Sequence, residues 1–127
     1  MSTLNVSNIT DGITTVGTSY VVNGSAKAWV HQDTSGGNAT RNSLNISSFT
    51  DDGTGDYKFT FSNAFSGALT YAPVGSTNTT TGGVCGATQF NTTLNTSSVI
   101  DLEVKRTSDG TKSDSDLVSM HVQGDLA

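Results

Sequence analysis

Hydrophobic and polar residues alternate with a period of two in several short runs along the chain. The clearest is Tyr57-Lys58-Phe59-Thr60-Phe61-Ser62, where Tyr57, Phe59 and Phe61 share one face and Lys58, Thr60 and Ser62 the other. Ile100 to Lys105 repeats the pattern, with Ile100, Leu102 and Val104 inward and Asp101, Glu103 and Lys105 outward. Val118, Met120 and Val122 alternate with Ser119, His121 and Gln123. Ala26–His31 and Leu44–Phe49 are further predicted strands, and Leu69–Val74 and Val84–Phe90 are weaker ones. Turn signals separate the runs: Asp51-Asp52-Gly53-Thr54-Gly55-Asp56, Ser108-Asp109-Gly110-Thr111-Lys112, Ser35-Gly36-Gly37-Asn38 and Thr81-Gly82-Gly83. No helical periodicity extends over 11 residues or more. Short strands at regular spacing with glycine turns predict an all-β fold: an antiparallel β-sandwich or jelly-roll-like domain over residues 25–127.

Residues 1–24 carry Leu4, Val6, Ile9, Ile13, Val16, Tyr20, Val21 and Val22 without dense alternation, interrupted by Asp11-Gly12 and Gly17. This reads as an extended N-terminal arm with one or two short strands. Such an arm cannot bury itself, so it should lie along the domain or pair with a neighbouring subunit. Leu4, Val6, Ile9, Tyr20, Val22 and Trp29 are therefore the expected interface residues.

Composition narrows the choice. Of 127 positions, 62 are Ser, Thr, Asn or Gly, while hydrophobic residues make up 33% and charged residues 13%, both below ordinary globular usage. Abundant Thr, Val and Ile favour strands over disorder. With so thin a supply of apolar side chains, oligomerisation would add stability. A net charge of −5 argues against a nucleic-acid partner, and no apolar run approaches the length needed to span a membrane. Met1 is followed by no basic region and no apolar stretch, so the expectation is a chain without a secretory signal. The single Cys85 allows no internal disulfide, as expected of a protein made in a reducing cytosol.

Candidate chemistry is sparse. Asp51, Asp52 and Asp56 are calcium candidates, as are Asp109, Asp114 and Asp116, but neither loop carries the calcium-loop spacing. Asp in hairpin turns usually serves backbone hydrogen bonds, which is the reading taken. Gly53-Thr54-Gly55 leads into no helix and is no dinucleotide fingerprint. His31 and His121 are the only histidines, and nothing assembles a nucleophile, base and orienting group around them. Cys85 is read as a small buried hydrophobe. No metal and no cofactor is assigned. Trp29 is read as a core or interface anchor, with neighbouring Val30 favouring burial; the other reading is an exposed sugar-stacking platform. Eight of ten Asn residues (Asn5, Asn8, Asn23, Asn38, Asn45, Asn78, Asn91 and Asn95) begin Asn-x-Ser/Thr triplets, read as polar strand faces rather than glycosylation sites.

The stretches Gly24-Ser25-Ala26-Lys27-Ala28-Trp29-Val30, Arg41-Asn42-Ser43-Leu44-Asn45-Ile46-Ser47-Ser48 and Thr50-Asp51-Asp52-Gly53-Thr54-Gly55-Asp56-Tyr57, with Phe59 and Phe61, resemble a β-rich domain of tail-fibre-like virion proteins. These occur in tailed bacteriophages, especially marine and cyanobacterial ones. The opening Ser2-Thr3-Leu4-Asn5-Val6 and the closing Val118–Asp125 are similar as well. The segment His31–Gly37 departs from the family's aromatic, glycine-rich turn, and Leu44 stands where Phe is usual. The resemblance implies a non-enzymatic structural protein of the virion, made in the bacterial cytoplasm, and most often a homotrimer. Its arm would dock on other tail or capsid proteins or on a neighbouring subunit. Loops at the far end (33–40, 76–83 and 109–116) would face a host-surface glycan, with Asp33, Asn38, Thr79, Asp109 and Asp114 as the receptor-facing positions. Two alternatives stay open: a capsid decoration or knob protein, and a carbohydrate-binding module. A polysaccharide-cleaving domain would need a carboxylate pair about 5 to 10 Å apart, and the single Glu103 is not taken to supply it.

Overall fold

The structure is a computed structural model that describes residues 5–78 and 86–127. Leu4, Thr79 and Cys85 lie outside the described residues, as does the Thr81-Gly82-Gly83 turn. The chain forms an all-β sandwich preceded by the arm. Strands β1 (Asn8–Thr10) and β2 (Thr15–Gly17) make a small antiparallel hairpin, followed by one short helix, α1 (Thr18–Gly24). Then come β3 (Ala26–Asp33), β4 (Thr40–Leu44), β5 (Ile46–Gly53), β6 (Asp56–Phe61), β7 (Tyr71–Asn78), β8 (Gly86–Phe90), β9 (Val99–Arg106) and β10 (Leu117–Gly124). One sheet has the order β4-β3-β10-β7 and the other β5-β6-β9-β8, with all pairings antiparallel.

The core comes almost entirely from the two central strands of each sheet. Ala28, Val30 and Gln32 of β3 and Val118, Met120 and Val122 of β10 face Tyr57, Phe59 and Phe61 of β6 and Ile100, Leu102 and Val104 of β9. Edge strands contribute only partly buried Ile46, Phe49, Tyr71 and Phe90. The rings of Phe61, Phe65 and Tyr71 meet at centroid distances of 4.7 to 5.8 Å and close the arm end of the core. Gln32 is the polar intruder: its Oε1 accepts from Thr40 Oγ1 (2.7 Å) and its Nε2 donates to the Asp33 carbonyl (3.1 Å), so both ends of the amide are satisfied.

Several strand expectations need correction. Leu44–Phe49 is not one strand: it is the end of β4 and the start of β5, which lie in different sheets. The chain turns between them at a single residue, Asn45, whose φ of 58° is left-handed. Its Oδ1 accepts from Asn63 N–H (2.7 Å) and its Nδ2 donates to the Asn63 carbonyl (3.1 Å), tying the corner to the end of β6. The arm holds a seven-residue helix that the apolar pattern did not predict. Trp29 is not a core residue either. Inward parity on β3 belongs to Ala28 and Val30, so Trp29 lies half-buried on the outer face.

The Asn45 corner makes a direct prediction. Asn45→Ala loses both amide hydrogen bonds and places an alanine in the left-handed region, at a cost of about 2–3 kcal/mol. Asn45→Gly loses the same hydrogen bonds without the strain and should be about 1 kcal/mol more stable than the alanine variant. Urea denaturation of the two proteins measures the difference.

Candidate functional site

Register fixes which end of the sandwich each loop occupies. β3 begins at Ala26, paired with Gln123, and ends at Asp33, paired with Leu117. The arm therefore leaves at one end and the 34–39 loop at the other, about 25 Å away at the usual rise per residue. At the loop end the connections hold one another. Thr34 N–H donates to the Asp116 carbonyl (3.0 Å), Asn38 Nδ2 to Asp51 Oδ2 (3.2 Å) and Gly55 N–H to Asp114 Oδ1 (2.8 Å). Ser115 N–H donates to the Tyr57 hydroxyl (3.2 Å) beneath them.

Of the positions expected to face a receptor, the four described ones (Asp33, Asn38, Asp109 and Asp114) gather here, each occupied structurally. Asp33 ends β3; its carboxylate accepts from Ser35 Oγ (2.6 Å) and from Arg41 Nη2 (2.8 Å). Asn38 is exposed with a left-handed φ of 47°. Asp109 accepts from Thr111 N–H and Oγ1 (3.0 and 2.7 Å), and Asp114 holds Gly55. A shallow cleft of about 500 Å³ on this side is lined by His31, Ser35, Arg41, Asn78, Asp116 and Leu117.

The hydrogen bonds of Ser35 and then Arg41 hold Asp33 well below the usual carboxylate range, and those of Thr111 lower Asp109. Because these folded-state values lie below the unfolded ones, the stabilisation is present at neutral pH and is lost on acidification. As the pH falls below the unfolded carboxylate value of about 4, the loop end should loosen before the core melts, and the Ser35 and Thr111 amide resonances, which follow the folded carboxylates, should shift only below that value. Proton-detected amide NMR against pH tests the order of events.

On the outer face of the first sheet, register lines up Leu44, Trp29, His121 and Val74 as one row across all four strands. The next row brings His31 beside Ser119, with Nδ1 2.9 Å from Oγ. This serine–histidine contact escaped the sequence reading. A serine nucleophile also needs free, convergent N–H donors for an oxyanion. Ser119 sits in β10, a strand paired on both sides, so the contact is accounted for as a cross-strand hydrogen bond.

The second sheet's outer face carries the densest charge. Cross-strand pairing sets Asp56 opposite Glu103 and Lys58 opposite Asp101. Oxygens of Asp56, Asp101 and Glu103 lie within 4.8 Å of one another. Lys112, reaching over from the β9–β10 loop, donates to Asp56 Oδ2 (2.7 Å) and Glu103 Oε1 (3.0 Å), and Lys105 pairs with Glu103 Oε2 (2.7 Å). Asp101 was expected to face solvent but is 1% exposed. Its N–H donates to Asn95 Oδ1 (2.8 Å) and its carbonyl accepts from Asn91 N–H (3.1 Å), so the 91–95 turn folds against it. Burial, then the Asp56 carboxylate, push its pKa up, whereas hydrogen bonds from Lys105 and Lys112 pull Glu103 down. Of the proposed calcium trio, only Asp56 belongs to this cluster. Asp51 accepts from Gly53 N–H (3.1 Å) as a turn residue, and Asp52 pairs with Lys58.

Of the arm residues expected at an interface, the described ones (Val6, Ile9, Tyr20 and Val22) are exposed. Seven of the twelve exposed large hydrophobics among the described residues fall between Val6 and Val22, including Ile13 (95% exposed) and Tyr20 (75%). Tyr71, by contrast, is half-buried, and its hydroxyl donates to the Thr96 carbonyl (3.0 Å). No family model, curated protein or solved structure matches the chain.

Proposed function

We propose that this chain is a non-enzymatic structural protein of a tailed-phage virion, tail-fibre-like, that works by self-association through its arm and presents its loops at the opposite end. The observation that carries this reading is the arm. Val6, Ile9, Ile13, Val16, Tyr20, Val21 and Val22 are all exposed on a hairpin and helix that pack little against the sandwich. Burying that surface against two further copies would supply apolar area that the thin core lacks. The resemblance of residues 24–57 to tail-fibre-like domains supports the virion assignment and a trimer. The polar, mutually braced loops around Asp33, Asn38, Asp109 and Asp114 suit a surface that meets a hydroxyl-rich host glycan.

The second reading is a carbohydrate-binding module, for which the half-buried Trp29, in the same sheet face as Asn42 and His31, would supply the aromatic surface. Multi-angle light scattering of the full chain tests assembly: a trimer is expected, broken by Ile13→Asp with Tyr20→Asp. A monomeric wild type at micromolar concentration overturns it. Immunogold electron microscopy of intact particles tests location, with label at the tail expected. Label on the head lattice overturns the fibre assignment in favour of decoration, and glycan-array binding lost in Trp29→Ala favours the second reading.

A further inference from the structure

We propose that Asp56, Asp101 and Glu103 form a calcium-binding site on the outer face of the second sheet, independent of the role of the arm. Three carboxylates converge from β6 and β9, set by the register that places Asp56 opposite Glu103. Their ligand oxygens all lie within 4.8 Å of one another, the span that two calcium–oxygen bonds of about 2.4 Å bridge. Magnesium usually keeps several waters and takes one or two carboxylates, whereas calcium gathers more oxygen ligands, so three convergent carboxylates favour calcium. The donor set is wholly hard oxygen, which suits calcium and not the softer zinc or copper.

The second observation is the state of the oxygens. Asp101 Oδ1 and Asp56 Oδ1 are buried and have no hydrogen-bond partner. A carboxylate oxygen removed from water and left unpaired is costly, and proteins rarely keep one without a use. The lysines do not reach these two atoms: Lys112 takes Asp56 Oδ2 and Glu103 Oε1, and Lys105 takes Glu103 Oε2. One lysine from the β9–β10 loop thus balances part of the charge, while the two unpaired oxygens are left to a cation. Water would complete the coordination shell on the open side. Lys112 competes electrostatically with the ion, so the site is tuned to be weak, and calcium binding would bias the position of the loop that carries Lys112.

Calorimetric titration of the full chain with calcium chloride at constant ionic strength, read alongside amide NMR, tests the site. One ion per chain is expected, with a dissociation constant on the order of 10⁻⁴–10⁻³ M and shifts centred on the Asp101 and Asn95 amides. Lys112→Gln should tighten binding about fivefold, the effect of removing one partly screened charge. Asp101→Asn should abolish it; Asp56→Asn serves as the second variant should the first not fold, which circular dichroism reports. Absence of binding in both the wild type and Lys112→Gln overturns the proposal. So does binding that survives both asparagine substitutions, which would place the ion elsewhere, at Asp51 and Asp52 for example.

Discussion

Phe59→Ala is expected to cost the protein about 3–5 kcal/mol, whereas Trp29→Ala costs the isolated fold about 1 kcal/mol. Both are aromatic residues on central strands. Phe59 has no exposed surface, lies opposite Ile100 in the ladder, and meets the Phe49 ring at a tilt of 50° with centroids 5.2 Å apart. Removing its ring leaves a cavity between the sheets that few neighbours can fill, because only twelve hydrophobic side chains are fully buried among the described residues. Trp29 projects from the other face of its strand and rests beside Leu44 and His121. Its removal strips outer-face contacts and opens no core cavity. In the self-association reading, Trp29→Ala instead weakens assembly, so light scattering should register it more strongly than thermal melting does. A melting loss for Trp29→Ala as large as for Phe59→Ala would mean the tryptophan is packed as a core residue.

The contrast shows which parts of the structure the sequence carried. Inward parity on β6, β9 and β10 was readable because each strand alternates large apolar and polar residues without a break. β3 was harder: its inward residues are Ala28, Val30 and Gln32, so the largest apolar side chain, Trp29, sits on the wrong parity for a core assignment. The corner at Asn45 was invisible because Leu44, Ile46 and Phe49 keep an apolar rhythm while the chain changes sheets. The arm helix is too short for a periodic signal, and Tyr20-Val21-Val22 has the composition of a strand. The carboxylate cluster was missed for a different reason. Asp56 was grouped with Asp51 and Asp52, its neighbours along the chain, but its partners in space are set by strand register. Glu103 and Lys112 lie 47 and 56 residues further on, and no local pattern encodes that pairing. The gathering of the 34–39 and 109–116 loops at one end depends on the same corner: with Leu44–Phe49 counted as one strand, alternating up and down strands would put those loops at opposite ends, and the split into β4 and β5 brings them together.

Gly55→Ala should destabilise the domain by about 3 kcal/mol and loosen the loop end more than the arm end. Gly55 closes the β5–β6 turn with a φ of 64°, in the left-handed region that favours glycine. Crowding adds to the conformational cost. A Cβ at this position would lie 2.6 Å from the Val104 carbonyl oxygen and 2.8 Å from the Ser113 nitrogen and oxygen, all backbone atoms that cannot swing aside. The residue is also a junction: its N–H donates to Asp114 Oδ1 (2.8 Å), and its carbonyl accepts from Val104 N–H (2.8 Å). Relieving the clash must therefore push the 109–116 loop away from the end of β9, and with it the Lys112 contacts to Asp56 and Glu103. For a domain of this size the stability loss corresponds to a melting temperature lowered by roughly 10 °C. Hydrogen exchange supplies the sharper measurement: the Val104, Ser113 and Ser115 amides should lose protection while Val122, near the arm end of β10, keeps it relative to the global stability. Equal loss at both ends would mean that Gly55 supports the whole sandwich and not the loop end in particular.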